Sequence, residues 1–92
     1  MGLYYNTLTA KRVMDRSEVQ SKISQIIRDF VEDESAKIND ATTADDIEGW
    51  DSIAHVKIIV EIESQFSITF AVSEVNASEN VGELIDLVMK KL

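Results

Sequence analysis

The 92-residue chain has no cysteine, no proline, three glycines and a single histidine. The missing cysteine removes disulfides, thiolate catalysis and thiolate metal sites together, so compartment has to be inferred from other features. No early apolar run has the form of a signal peptide or a membrane span, and cytoplasmic residence is the default expectation. Met1-Gly2 opens a myristoylation pattern, but Asn6 stands where that pattern needs Ser or Thr. No repeat or low-complexity tract occurs, and with so few helix breakers the chain reads as predominantly helical. Ninety-two residues make one domain with a small core, too small for a scaffold plus a substrate-enclosing cleft. Hydrophobic residues at 45% with 28% charged place it among globular rather than disordered chains.

Basic residues are also scarce, and they are unevenly placed. Residues 1–16 carry three bases (Lys11, Arg12, Arg16) against Asp15, whereas the remainder carries 16 acids and 6 bases. That acidic body repels nucleic acid and anionic lipid and attracts basic patches on protein partners. The same acidity would also serve simply to keep a small protein soluble.

Residues 1–16 show no sustained period and are read as a flexible N-terminal extension, with the folded domain over 17–92. Ser17-Glu18-Val19-Gln20 has capping-box form, and Val19, Ile23, Ile26, Ile27, Phe30 and Val31 follow at helical spacing. The period is lost over 33–50. There Thr42, Thr43, Asp45, Asp46 and Gly49 supply loop chemistry, while Ile38 and Ile47 are expected to pin the segment to the core. Asp51 suits the N-cap of a second helix running to about Phe66. Residues 67–80 are irregular apart from a short helix around 73–76. Asn80-Val81-Gly82-Glu83 again has the form of a capping pair, and Val81, Leu84, Ile85, Val88 and Leu92 give the stripe of a last helix ending on Lys90 and Lys91.

The second helix has more apolar surface than packing requires. Projected at about 100° per residue, Ile58, Ile59, Ile62 and Phe66 fall on one arc and Ile53, Val56 and Val60 on another, together spanning roughly 220°. A core-facing stripe needs only about 100°. The first group is assigned to the core, and the second to an exposed strip beginning beside Ser52. A helix sandwiched between two others would bury both groups, so the exposure of Ile53, Val56 and Val60 separates the two arrangements. His55 projects between Ile62 and Phe66 and is expected to be partly buried against the loop, beside Trp50, itself read as core cover.

Residues 17–92 resemble an acyl carrier protein, on the strength of Asp51-Ser52-Ile53. The tripeptide alone is weak, but it caps a helix of the right spacing and ends a long acidic loop. It is followed by Glu63-Ser64-Gln65-Phe66 and Ile68, similar to the family's acidic-then-Phe ending. The resemblance implies an all-α, small four-helix bundle with a long loop between the first two helices. It also implies a covalent 4'-phosphopantetheine, derived from coenzyme A by a phosphopantetheinyl transferase and attached at Ser52. The chain's reactive thiol would then be imported, holding acyl or related groups as thioesters, and the protein would not itself be an enzyme. A phosphate there meets unpaired amides and the positive end of the helix dipole.

The implied partners are acyl-loading and acyl-processing enzymes with basic docking patches, met by a monomer through Asp51, Ile53, Val56, Lys57, Val60 and Glu61. Nucleic acid and membrane are not expected partners. The housekeeping fatty-acid carriers commonly place acids two and five residues after the serine, where this chain has Ala54 and Lys57, with Glu61 and Glu63 further along. This departure points to a specialised pathway such as polyketide, peptide, lipid or surface-glycan tailoring. The other function class is an unmodified helical adaptor with the same fold.

Two further readings of the same residues fare worse. A hydrolase centre of Asp51, Ser52 and His55 lacks both a Gly-x-Ser-x-Gly elbow and an oxyanion site, and Asp51 is committed to the cap. An EF-hand counted from Asp40 puts Ala44 and Asp45 where a ligand and a glycine are needed, so no metal site is expected.

Overall fold

The computed structural model describes residues 14–92. Among the described residues there are four helices, α1 (Arg16–Val31), α2 (Ser52–Phe66), α3 (Val72–Ala77) and α4 (Val81–Lys91), and a 3-10 turn at Ala44–Asp46 in the long α1–α2 loop. Among the described residues there is no strand. The all-α bundle implied by the sequence is therefore the observed architecture.

The first helix begins one residue before Ser17. Asp15 is its N-cap, with Asp15 Oδ1 accepting from the Glu18 amide at 2.9 Å and the Asp15 amide donating to Glu18 Oε1 at 3.3 Å. That box is shifted two residues from the Ser17/Gln20 pair, because Met14 packs on the core and Arg16 reaches Asp40 and Asp86. Most of the extension expected over 1–16 lies outside the described residues.

The core is a seam of β-branched and Leu side chains. Val19, Ile23, Ile26 and Ile27 of α1 meet Ile58, Ile62 and Phe66 of α2 and Val81, Leu84, Ile85 and Val88 of α4. Complete burial of an Ile contributes about 1.5–3 kcal/mol relative to exposure, and five isoleucines here are fully buried. Ile38, Ile47 and Trp50 pack partly buried against this seam, as expected of loop anchors. Three assignments differ. Phe30 and Ile59 are only half-buried, Ile59 lining the groove between α2 and α3. Leu92 is exposed, since α4 ends at Lys91.

The loop is held at both ends. Arg28 Nε donates to the Ala36 carbonyl at 2.9 Å, and the amides of Val81 and Gly82 donate to the carbonyls of Thr42 and Asp40 at 2.9 and 2.8 Å. Just before Trp50, Gly49 has φ +91°, and a Cβ there would meet the Val31 carbonyl oxygen at 3.0 Å. Glycine is needed at that bend on both counts.

Candidate functional site

The start of α2 is built by two local contacts. Asp51, extended at φ −93° and ψ −174°, accepts the Ala54 amide on Oδ1 at 2.8 Å, and its carbonyl accepts the His55 amide at 2.9 Å. The amides of Ser52 and Ile53 have no intrahelical partner, as in any first turn. Ser52 is exposed, and among the described residues its hydroxyl makes no hydrogen bond. A free hydroxyl beside two unpaired amides at the positive end of a fifteen-residue helix suits a phosphate ester.

Behind Ser52, Trp50 Nε1 donates to His55 Nδ1 at 3.1 Å, with the rings stacked at 6.0 Å between centroids. The histidine is thus partly buried against the loop beside Trp50, as its position on the helix suggested. Its Nδ1 is taken by the indole and Asp51 Oδ1 by the cap, so the three groups of a hydrolytic triad are not connected. Among the described residues no cluster of His, Asp or Glu could hold a metal ion.

Ser52 opens onto a groove of about 410 Å³ lined by Ala44, Trp50, Asp51, His55 and Val56. His55 and Val56 also line a second groove, of about 300 Å³, between α2 and α3, walled by Ile59, Val60, Phe70, Val72 and Val75. The two grooves have His55 and Val56 in common. An arm tethered to Ser52 therefore finds surface to lie on, and the residues present fit such a group.

Along the outer face, Ile53, Val56 and Val60 are 69%, 62% and 56% exposed. The sandwiched arrangement is thereby excluded. Lys57 is exposed on the same face, Asp51 is exposed at the helix end, and Glu61 is half-buried at the margin. Ala54, by contrast, is buried toward α1. Glu63 is not a surface acid, because its Oε2 accepts the Phe70 amide at 2.8 Å and fixes the α2–α3 connection.

Sequence reasoning missed Val72, which at 76% is the most exposed large apolar side chain of the described residues. It stands on α3 across the groove from Val56 and Val60. A lone valine at the start of one short helix leaves no period to detect.

A model of the phosphopantetheine attachment site family matches residues 21–88, which places the chain in the class of small helical carrier domains. An acyl carrier protein from Thermotoga maritima is 31% identical over 78 residues, spanning 84% of this chain and 95% of the relative. The solution NMR structure of holo acyl carrier protein from Geobacter metallireducens matches with a TM-score of 0.74 at 38% identity, covering 79% of this chain and 84% of that one. The chain belongs to the acyl carrier protein family, whose members are carriers rather than catalysts and hold 4'-phosphopantetheine covalently.

Proposed function

We propose that Ser52 Oγ is the attachment point of 4'-phosphopantetheine and that the chain carries acyl or related intermediates as thioesters, delivering them to the enzymes of a specialised biosynthetic pathway. The observation that carries this reading is the exposed, unbonded Ser52 hydroxyl at a capped helix start, inside the segment that the attachment-site family matches. The group supplies a thiol to a protein that has none. A separate transferase recognises the helix start; the Ser52 Oγ–phosphorus bond forms, the bond to the nucleotide part of coenzyme A breaks, and the hydroxyl proton is lost. Asp51 holds the helix end in register, while the two free amides face the phosphodiester.

The test is incubation with coenzyme A, Mg²⁺ and a promiscuous phosphopantetheinyl transferase, followed by intact mass measurement. Wild type is expected to gain one phosphopantetheine and Ser52→Ala none. No gain on wild type, under conditions that modify a control carrier, would leave the unmodified adaptor as the better description.

The pathway reading rests on Lys57. Since Ala54 is buried, the charge departure on the docking face reduces to this one exposed cation. A basic patch shaped for a carboxylate five residues after the serine meets Lys57 unfavourably. Efficient rescue of a fatty-acid carrier deletion by this protein would count against a specialised role. The acidic loop, with Asp45, Asp46 and Glu48 exposed, favours partners with basic patches near the Ser52 end. Among the described residues no helix is long and apolar enough to cross a membrane.

A further inference from the structure

The outer face of α2 has a sign of charge that its composition does not suggest. Ile53, Lys57, Val60 and Ser64 succeed one another at spacings of four, three and four, so they share one line along the helix, with Val56 beside it. All five are exposed. Of the acids of α2, Glu63 accepts the Phe70 amide, and Glu61, half-buried one turn after Lys57, accepts from Gln65 Nε2 at 2.8 Å. Asp51, at the helix end, accepts the Ala54 amide. Lys57 is therefore a cation on the edge of an apolar strip, with Glu61 on its other side.

Among the described residues Lys57 makes no ion pair, not even with Glu61; the pairs found use Arg16 and Lys91. Asp29, Glu32 and Asp51 share with it a groove between α1 and α2, but none comes within salt-bridge distance.

We propose that the enzyme docking on this face carries a carboxylate opposite Lys57, set in an apolar recess for Ile53, Val56 and Val60, with its own cations displaced toward the Ser52 end to meet Glu48 and Asp51. The proposal rests on the attachment reading of Ser52, which brings a partner to this face. An ammonium group covered by an apolar recess loses its hydration and needs a counter-charge. A second copy of this chain is a poor occupant, since both copies carry a formal charge of −8. A two-signed surface also fixes docking direction, because a partner turned end for end would meet like charges at both places.

The test uses a promiscuous phosphopantetheinyl transferase with a basic docking surface and measures initial rates of Ser52 modification. Substrates are wild type, Lys57→Ala and Lys57→Glu, and transferase variants carry each docking-surface Arg or Lys changed in turn to Glu. At low salt, Lys57→Glu is expected to be modified about tenfold faster than wild type by the basic enzyme, with Lys57→Ala between them and the gap shrinking as salt rises. One Arg or Lys→Glu transferase is expected to reverse that order and prefer wild type. Equal rates for the three substrates, or the absence of any reversing variant, would overturn the proposal while leaving the attachment site intact. If no substrate is modified while a control carrier is, the attachment reading falls and takes this one with it.

Discussion

Two surfaces of this protein are held in opposite ways. Where the long loop crosses the starts of α1 and α4, polar groups are densely paired. Arg16 Nη1 meets Asp40 Oδ2 at 3.0 Å and Nη2 meets Asp86 Oδ1 at 3.1 Å; Gln20 Nε2 donates to Asp40 Oδ1 at 3.2 Å; the Gly82 amide donates to the Asp40 carbonyl at 2.8 Å. Along α2 and α3 beside Ser52, valines and an isoleucine face outward around open grooves. One surface is tied together by polar contacts within the chain, and the other leaves apolar groups exposed. Singly exposed valines are ordinary, whereas Ile53, Val56, Val60 and Val72 together are the apolar surface that the proposed docking partner would cover.

The largest effect expected from breaking this contrast is at Gly82. A Cβ there would lie 2.9 Å from Asp40 Cβ and 3.0 Å from the Asp40 carbonyl oxygen, which is backbone and cannot rotate away. Gly82→Val should therefore destabilise by about 1–3 kcal/mol, the usual range for overpacking. The control is Val60→Ser on the other surface, for which urea unfolding should move by no more than about 0.5 kcal/mol. Equal losses at the two positions would mean that the outer strip of α2 is structural after all.

Next in size is the cap. Asp51→Ala removes the acceptor of the Ala54 amide and is expected to cost about 1 kcal/mol in urea unfolding. Asp51→Asn, which keeps an acceptor oxygen, should recover most of it. A loss unchanged by the amide would assign Asp51 to charge rather than capping.

The contrast also explains what could be read from the sequence. The two arcs of α2, the Asp51 cap and the approach of His55 to Trp50 all follow from 3.6-residue periodicity and helix-end chemistry, which act within a few residues. Other features depended on neighbours distant in the chain. Asp15/Glu18 and Ser17/Gln20 are both plausible boxes, and Arg16 reaching Asp40 and Asp86 helps select the first. Glu63 reads as a surface acid until the α2–α3 turn brings the Phe70 amide to it. Ile59 projects toward the core, but it is half-open to the groove that α3 makes with α2. The Ser52 start was legible because it is local, whereas the groove beside it was not, because its second wall comes from α3.

That wall supplies the smallest predicted effect. Glu74 of α3 accepts the Ala71 amide at 2.8 Å and pairs with Lys91 Nζ of α4 at 3.0 Å. The Ala71 amide first, and then Lys91, hold its carboxyl below the ordinary value of 4.5. A lowered folded-state pKa means that the fold favours the charged form, so this stabilisation is fully present above the unfolded value and is lost as pH falls through the folded one. Glu74→Gln should therefore melt slightly below wild type at neutral pH, with the difference closing as pH falls through the ordinary value of 4.5 and below it. The gap should also narrow in high salt, because the pair is solvent-screened. A difference independent of both pH and salt would show that the side-chain amide fails for reasons of shape. The α3 wall would then be positioned by packing of Phe70 and Val75 rather than by its tie to α4.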